Sequence, residues 1–307
     1  MQEVSVIICA HNPRKRYLER TLRALQAQTL DHSRWELLLI DNASDVPLSR
    51  EWDLSWHPHA RHVVEGELGH SAARRRGIRE ANCELLMFVD DDNVLDAEYL
   101  SHAVKIGQEW PLLGVWGSGV TAPEFEREPA EHLRQYLFYL ALRETTLPRW
   151  SNVFPCIEAT PWGAGLCLRK VVASTYCQMW DQSRIRLSGR VGRSLMSGDD
   201  MEIGWVACNM GWGMGVFPVL RLTHLIPEER VTDDYLVRMA EASTTSNYLL
   251  ACKWQNVLPP NPFSFFGLLS VLKNIAVNRG MRRRMYLADL RARVAALRFI
   301  ADSRSQG

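Results

Sequence analysis

The stretch Leu85-Leu86-Met87-Phe88-Val89-Asp90-Asp91-Asp92 joins an apolar run to three consecutive aspartates. The apolar run predicts a buried β-strand. Open α/β sheets bind ligands at the carboxyl ends of their strands, so three carboxylates would lie where a ligand is expected. Such neighbours repel one another unless a cation or hydrogen-bond donors neutralise them. Because Mg²⁺ prefers oxygen ligands and often combines carboxylates with substrate phosphates, the pattern indicates a metal that holds a diphosphate.

A simple acidic turn is the alternative explanation for these aspartates. Aspartates after a strand often form turns or cap the next helix. Asp96 could be such a cap, because Leu100, Ala103 and Val104 follow it at helical spacing. The local sequence leaves both explanations open, and the rest of the chain favours the metal.

Strands and helices alternate in the first ninety residues. Residues 4–10 and 36–40 predict two further buried strands, and residues 17–25 and 70–82 carry apolar side chains at helical spacing. This alternation predicts right-handed βαβ units and a mostly parallel, Rossmann-like α/β sheet flanked by helices. The three strands end in polar residues that would line one cleft, namely His11-Asn12, Asp41-Asn42 and Asp90-Asp91-Asp92.

Composition and missing motifs exclude several classes of protein. The 307 residues carry a net charge of +1, which argues against nucleic-acid binding by the whole chain. The seven cysteines form no CxxC pair, so a zinc site is not expected, and their odd, scattered number suggests a reducing cytoplasm. The sequence enters a strand at once, so we expect no signal peptide. No GxGxxG follows the first strand and no P-loop motif occurs, which disfavours dehydrogenases and P-loop NTPases.

Asp41 and one arginine are candidate ligand-binding residues. Asp41 ends the second strand and can accept a hydrogen bond from a base or ribose, although an Asx-turn explains it equally well. Adjacent helical residues point in different directions, so one of the three arginines at 74–76 should face the cleft. We favour Arg74, one turn after His70, as the partner of a diphosphate or of the aspartates.

A second acidic pair and a histidine complete the candidate set. Asp199 and Asp200 precede helically spaced apolar residues, and a helix N-terminus stabilises an ionised carboxylate that could act as a general base. Taken alone, the pair fits a plain helix cap better. His224 follows the apolar run 216–222 and could complete a metal site, although a lone histidine after a strand is more often structural.

Five segments over about residues 4–225 resemble family 2 glycosyltransferases of the GT-A fold in order and in approximate spacing. The segments are Ser5-Val6-Ile7-Ile8-Cys9-Ala10-His11-Asn12, Leu39-Ile40-Asp41-Asn42-Ala43-Ser44-Asp45, Gly69-His70-Ser71-Ala72-Ala73-Arg74, Phe88-Val89-Asp90-Asp91-Asp92 and Gly198-Asp199-Asp200-Met201-Glu202.

The resemblance implies roles for particular residues of this chain. The implied nucleotide-binding residues are Ala10, Asn12, Asp41, Arg74, Asp90 and Asp91, with Asp41 on the base, commonly uracil, and Asp90 nearer the ribose. The implied metal ligands are Asp92 and His224. The implied catalytic base is Asp200, with Asp199 as the alternative, and the residues implied beside the sugar and acceptor are Trp162, Gly163, Ala164 and Glu202. The chain departs from the family pattern at His11, Arg75 and Asp199.

The resemblance therefore predicts a metal-dependent inverting glycosyltransferase of the hexosyltransferase type. It would use Mn²⁺ or Mg²⁺ and move a sugar from a UDP-sugar to a hydroxyl of a saccharide or lipid-linked acceptor, in surface polysaccharide or glycoconjugate synthesis. The alternatives are a catalytically inactive nucleotide-sugar-binding scaffold and a nucleotidylyltransferase, although the loop 12–16 lacks the glycine that the latter would need. The sugar, the acceptor and the oligomeric state stay open.

The last eighty residues differ in character from the rest. We expect a glycosyltransferase domain at 1–225 and a helical extension at 226–307. The uncharged run 254–272 is too interrupted to span a bilayer. Residues 279–304 contain eight arginines and two aspartates and predict an amphipathic helix. The segment 263–304 could lie on an anionic membrane surface, on the inner face of the plasma membrane, or could cap the domain of a cytoplasmic protein.

Overall fold

The computed structural model describes residues 2–187, 189–192 and 194–305. The strands are β1 (Val4–Ala10), β2 (Trp35–Asn42), β3 (Ala60–Glu65), β4 (Leu85–Asp90), β5 (Asn93–Leu95), β6 (Leu113–Phe125), β7 (Arg143–Glu144), β8 (Arg149–Ser151), β9 (Leu166–Arg169) and β10 (Gly213–Ile226). The α-helices are α1 (Lys15–Gln26), α2 (Leu48–Glu51), α3 (His70–Glu80), α4 (Tyr99–Glu109), α5 (Lys170–Gln182), α6 (Asp199–Asn209), α7 (Asp233–Gln255), α8 (Phe265–Val277) and α9 (Gly280–Ser305). Short 3₁₀ helices occupy His32–Arg34, Glu131–Leu140 and Glu228–Val231.

The first of two compact units carries the sheet. It comprises the described residues up to Glu126 together with Leu140–Asp181 and Asp200–Ile226. The strand order is β3-β2-β1-β4-β9-β6-β10-β5, with β7 on β6 and β8 on β10. The long pairings, β1 with β2 and β4, β2 with β3, and β6 with β10, are parallel, and the antiparallel ones are short. The predicted mostly parallel α/β sheet is confirmed.

The central strands are apolar because helices cover both of their faces. Every residue of β2 is buried, as expected for a parallel strand inside an α/β sheet. On one side of the sheet, Val6, Ile8, Leu37 and Leu39 belong to a core that also contains Leu18 and Leu22 of α1. This packing holds α1 against β1 and β2.

The carboxyl ends of three strands lie in register at one edge. Ala10 of β1 is the partner of Asp41 in β2, and Cys9 is the partner of Asp90 in β4. The polar residues that follow these strands therefore share the edge that the alternation of strands and helices predicts.

The second unit contains α7, α8 and α9. It comprises Arg127–Tyr139, the described residues of 182–199 and the described residues from Pro227 onward. Ala288, Ala292, Ala296 and Ile300 of α9 are buried at four-residue spacing, and α9 packs along α7. The buried stripe of α9 thus consists of three alanines and one isoleucine, whereas Leu287, Leu290 and Leu297 are half-buried. The predicted domain division at residue 225 stays a prediction.

No helix among the described residues is both long enough and apolar enough to cross a membrane.

Gly77 lets α3 approach β1 closely, which generates a stability prediction. A Cβ atom at Gly77 would lie 2.5 Å from Cγ2 of the fully buried Ile7. We expect Gly77→Val to lower the free energy of unfolding by about 2 kcal/mol through overpacking. Urea unfolding measures this change.

Gly66→Val is the matched control, because a Cβ at Gly66 meets nothing within 4 Å. It should change the free energy by no more than about 0.5 kcal/mol. Equal unfolding midpoints for the two variants would contradict the close packing of α3 on β1.

Candidate active site

The loops after β1 and β2 are tied together by hydrogen bonds. The carboxylate of Asp41 accepts backbone N–H bonds from Ser44 at 3.0 Å and from Leu48 at 2.9 Å. The side chain of Asn12 accepts the N–H of Asp45 at 2.9 Å and donates to its carboxylate at 3.0 Å. Asp41 therefore shapes the loop as an Asx-type turn does, and its contact with a base stays a prediction, as do the nucleotide contacts of Ala10 and Asn12.

Helix α3 begins at the same edge of the sheet. The N–H of Gly69 donates to Oδ1 of Asn42 at 2.8 Å, and Nδ2 of Asn42 donates to the carbonyl of Glu67 at 2.7 Å. Gly69 has a φ of 146°, a region that residues with a side chain rarely adopt. The N-terminus of α3 is thereby anchored to the end of β2, which places His70 and Arg74 beside β4.

Arg74 and His70 face Asp90. Nη2 of Arg74 lies 3.9 Å from Oδ1 of Asp90, and Nε2 of His70 lies 3.8 Å from the same oxygen. Arg74 is buried, with its guanidinium 5.1 Å from the centre of the Phe88 ring. Burial alone would raise the pKa of Asp90, but the His70 hydrogen bond and the charge of Arg74 outweigh it and hold that pKa below its usual range. Asp90 is therefore a stable anion.

The two neighbouring arginines make other contacts. Nη1 of Arg75 lies 3.1 Å from Asp181, and its guanidinium stacks 3.6 Å from the centre of the Trp180 ring. Arg76 pairs with Glu80 at 2.9 Å. Arg74 is thus directed to the aspartate cluster, whereas its contact with a nucleotide stays a prediction.

Asp92 is held by residues of β5 and β10. Its Oδ1 accepts a hydrogen bond from Nδ2 of Asn93 at 3.0 Å, and its carbonyl accepts the N–H of Leu225 at 2.9 Å. Because β5 pairs antiparallel with β10, His224 is the strand partner of Asn93. Nε2 of His224 lies 3.4 Å from Oδ2 of Asp92, and both side chains are about nine-tenths buried. Sheet pairing therefore brings together the two predicted metal ligands.

The donor set of Asp92 and His224 fits a cation. Nδ1 of His224 lies 3.1 Å from the carbonyl of Leu140, which can only accept, so Nδ1 carries a hydrogen. Nε2 then faces Oδ2 of Asp92, where the ring can donate a proton to the carboxylate or offer a lone pair to a cation. Two acceptors 3.4 Å apart require a proton or a cation between them. The described residues contain no cluster of three or more histidine, cysteine or acidic side chains able to hold a metal.

Asp200 is connected to the aspartate cluster through Gly163 and Arg74. Oδ2 of Asp200 accepts the N–H of Gly163 at 2.8 Å, and Oδ1 accepts the N–H of Met201 at 2.8 Å. A Cβ atom at Gly163 would overlap Nη2 of Arg74, so the guanidinium lies directly against this backbone. Arg74 in turn pairs with Asp90. The start of α6 and the end of β4 thus meet around one arginine.

Arg143 is a site residue for which the sequence gives no motif. Its guanidinium stacks 3.9 Å from the centre of the Trp162 ring, and Nη2 donates to the carbonyl of Ile157 at 3.3 Å. Burial lowers the pKa of Arg143 to about 10, with the charge of Asp200 acting in the opposite direction. It stays protonated at neutral pH, and its Nη1 is buried with no hydrogen-bond partner among the described residues. His70 lies inside the third motif and faces Asp90, and Asn93 directly follows the aspartates and donates to Asp92.

The remaining candidates lie around these groups. Ala164 is buried, and its carbonyl accepts from Ser118 at 3.1 Å. The carbonyl of Asp91 accepts from Thr21 at 3.3 Å. Asp199 begins α6, and Glu202 is buried two residues after Asp200, which directs it to another side of the helix. Their ligand-binding and catalytic roles stay predictions.

The strand order and the acidic strand end define a GT-A-type α/β fold, and comparison with known proteins gives the family. The model of the family described as glycosyl transferase family 2 matches residues 5–158, half of the chain. The chain therefore belongs to glycosyl transferase family 2, as its motifs predict.

One curated protein and two solved structures resemble this chain at low sequence identity. Glycosyltransferase AglE of Haloferax volcanii is 28% identical over 105 residues, which span 33% of this chain and 34% of that protein. The mannosyltransferase PcManGT from Pyrobaculum calidifontis, in complex with GDP-Man and Mn²⁺, aligns over 99% of this chain and 76% of that chain at 16% identity and a TM-score of 0.57. TarS 1–349 of S. aureus, in complex with UDP-GlcNAc, aligns over 99% and 92% at 12% identity and a TM-score of 0.54. These structures support the fold.

The two hydrogen bonds of Asp41 generate a second prediction. Asp41→Ala removes the acceptor of two backbone N–H groups, one of them the buried N–H of Leu48. We expect the free energy of unfolding to fall by about 2 kcal/mol. Asp41→Asn keeps one acceptor oxygen and should lose about half as much.

Urea unfolding without any nucleotide measures both variants of Asp41. The matched control is Asp45→Ala. In the hydrogen bonds described above, the carboxylate of Asp45 accepts from the exposed side chain of Asn12 and from no buried group. An Asp41→Ala protein as stable as the wild type would contradict the structural role of this carboxylate.

Proposed function

We propose that this chain transfers a sugar from a nucleotide-sugar donor to an acceptor hydroxyl and inverts the anomeric centre. The proposed donor is a UDP-sugar. The proposal is carried by one observation. Arg74 lies between the Asp90–Asp92 cluster and the backbone that holds Asp200, so a candidate partner of the diphosphate lies beside a candidate base. The acceptor would be a saccharide or a lipid-linked sugar of surface polysaccharide or glycoconjugate synthesis.

The donor would bind along the carboxyl edge of β1, β2 and β4. Ala10, Asn12 and Asp41 would line the nucleoside side, with Asp90 and Asp91 nearer the ribose. Arg74 would place its charge against the diphosphate, which becomes more negative as the sugar leaves. Support comes from the solved relatives, two of which are complexes with UDP-GlcNAc and with GDP-Man.

Asp92 and His224 would hold Mn²⁺ or Mg²⁺. The ion would neutralise the leaving diphosphate, whose oxygens would supply ligands beyond the two protein groups. The hydrogen bond from Nδ1 of His224 to Leu140 orients the ring so that Nε2 faces Asp92. Support also comes from the Mn²⁺ in the mannosyltransferase structure.

Asp200 would act as the general base on the acceptor hydroxyl. The N–H groups of Gly163 and Met201 hold its two oxygens, so two backbone groups orient this carboxylate. Removal of the hydroxyl proton lets the acceptor oxygen form a bond to the anomeric carbon while the bond to the diphosphate breaks. A single displacement of this kind inverts that carbon. Arg143 and Trp162 would flank the sugar and acceptor.

The base assignment generates a third prediction. We expect Asp200→Asn to lower kcat by a factor of about 10² to 10⁴ while the Kd for UDP-sugar changes little, because a carboxamide keeps the oxygen for Gly163 but cannot take a proton. Single-turnover kinetics and calorimetry measure the two quantities.

Two further variants complete the base experiment. Asp199→Asn shows which of the two carboxylates is the base. Asp53→Asn is the control, because Asp53 is exposed and its carboxylate accepts hydrogen bonds from Ser55. Near-wild-type turnover by Asp200→Asn would eliminate Asp200 as the base. Donor binding without turnover in the wild type would instead indicate a nucleotide-sugar-binding scaffold.

The metal assignment generates a fourth prediction. We expect His224→Ala and Asp92→Asn each to weaken Mn²⁺ affinity in the presence of UDP by more than the factor of about 10 that loss of an outer-shell partner costs. The exposed His59→Ala should bind as the wild type does. Mn²⁺ titration followed by electron paramagnetic resonance reads binding directly. Wild-type affinity in both site variants would exclude this pair as the ligands, and full activity in excess chelator would exclude a metal requirement.

A further inference from the structure

Helix α8 presents its most apolar side to solvent. None of its residues is buried. Phe265, Phe266, Leu269, Leu272 and Val277 are 72%, 81%, 52%, 66% and 70% exposed. At 100° per residue these positions occupy one continuous side of the helix. The half-buried positions on the opposite side are Gly267, Val271, Asn274 and Ile275, so the larger apolar side chains of the helix are the exposed ones.

The sequence on either side of this apolar face carries basic residues and no acidic ones. The sequence contains no aspartate or glutamate between Glu241 and Asp289. Lys273 on α8 and Arg279, Arg282 and Arg283 after it are exposed, and the ion pairs of the described residues include none of these four. Cations that are not matched within the chain indicate an anionic partner.

An apolar groove between α8 and α9 extends the same surface. It has a volume of about 440 Å³, and its lining includes Phe263, Leu268, Val271, Leu290 and Val294. Two arginines, Arg291 and Arg298, lie at its edge. The one acidic residue of the lining, Glu241, is already paired with Arg291 at 2.6 Å. The groove therefore adds apolar surface and no uncompensated negative charge.

We infer that α8, together with Lys273, Arg279, Arg282 and Arg283, is a docking surface for an anionic phospholipid bilayer. The exposed side of α8 and these four basic residues form the α8 surface. A bilayer interface offers acyl chains that can contact the phenylalanines and leucines of the α8 surface. It also offers phosphates that can pair with the cations of that surface. A second copy of the chain fits less well, because a two-fold contact through α8 would place like charges opposite one another.

Each component of the α8 surface has its own signature in binding. The aromatic and aliphatic side chains would enter the acyl boundary and give binding that salt does not screen. The cations would act over about one Debye length and give binding that falls with ionic strength. Neither component involves the site residues of the first unit, so the inference is independent of sugar transfer.

Cosedimentation of the full chain with lipid vesicles tests the inference. One set of vesicles is pure phosphatidylcholine, and the other is an equal mixture of phosphatidylcholine and phosphatidylglycerol. We expect binding to the anionic vesicles to be at least about tenfold tighter, since each basic residue near an anionic surface contributes about fivefold. Raising the ionic strength from about 0.1 M to about 1 M shortens the Debye length from about 10 Å to about 3 Å and should weaken this binding.

Matched variants separate the two components. Arg282→Gln with Arg283→Gln should weaken binding to anionic vesicles by about 25-fold and leave binding to neutral vesicles unchanged. Phe265→Ser with Phe266→Ser should weaken binding by at least about tenfold at both ionic strengths. The controls are Arg50→Gln and Leu112→Ser, an exposed cation and a 78% exposed leucine of the first unit, which should bind as the wild type does.

The outcomes decide between occupants of the α8 surface. Circular dichroism and the thermal unfolding midpoint test whether each variant folds. We expect all of them to fold, because the four substituted residues, Phe265, Phe266, Arg282 and Arg283, are exposed. Equal binding of the wild type to neutral and anionic vesicles, or wild-type binding by the phenylalanine variant, would overturn the inference. So would a dimer in light scattering that Phe265→Ser with Phe266→Ser converts to a monomer, because another copy would then cover the α8 surface.

Discussion

The antiparallel pairing of β5 with β10 is the constraint on which the candidate site depends. It sets His224 opposite Asn93, the residue directly after the aspartate cluster, although 130 positions separate the two in sequence. A strand register shifted by one residue would turn the imidazole to the other face of the sheet. The long parallel pairing of β10 with β6 fixes that register, so the position of a possible metal ligand follows from the packing of the whole sheet.

Charge balance explains how so many ionised groups coexist at one sheet edge. Arg74 is buried between Phe88 and the backbone of Gly163, where an unpaired guanidinium would be costly to desolvate. Asp90 compensates that charge, and Arg74 with His70 stabilises the Asp90 anion in return. Gly163 has no side chain because the guanidinium occupies that space. The same glycine N–H orients Asp200, so the small residue couples both acidic groups.

The sequence predicted the parts of the site that depend on local pattern. Apolar runs that end in Asp41 and Asp90 identified β2 and β4, and the acidic pair at 199–200 lies at the start of a helix as its spacing predicted. Contacts that depend on tertiary packing were beyond such reasoning. Nothing in the sequence indicates that Arg143 stacks on Trp162, or that α9 buries its alanines more completely than its leucines. The two bonds of Asp41 to its own loop required coordinates, because an Asx-turn and a ligand contact use the same residue type.

Anomalous diffraction from crystals of the protein with Mn²⁺ and a non-hydrolysable UDP-sugar tests the central claim most directly. We expect one manganese peak in contact with Oδ2 of Asp92 and Nε2 of His224, with the diphosphate beside Arg74 and the sugar facing Asp200. A manganese peak elsewhere, or a sugar-nucleotide bound away from the carboxyl edge of β1, β2 and β4, would contradict it.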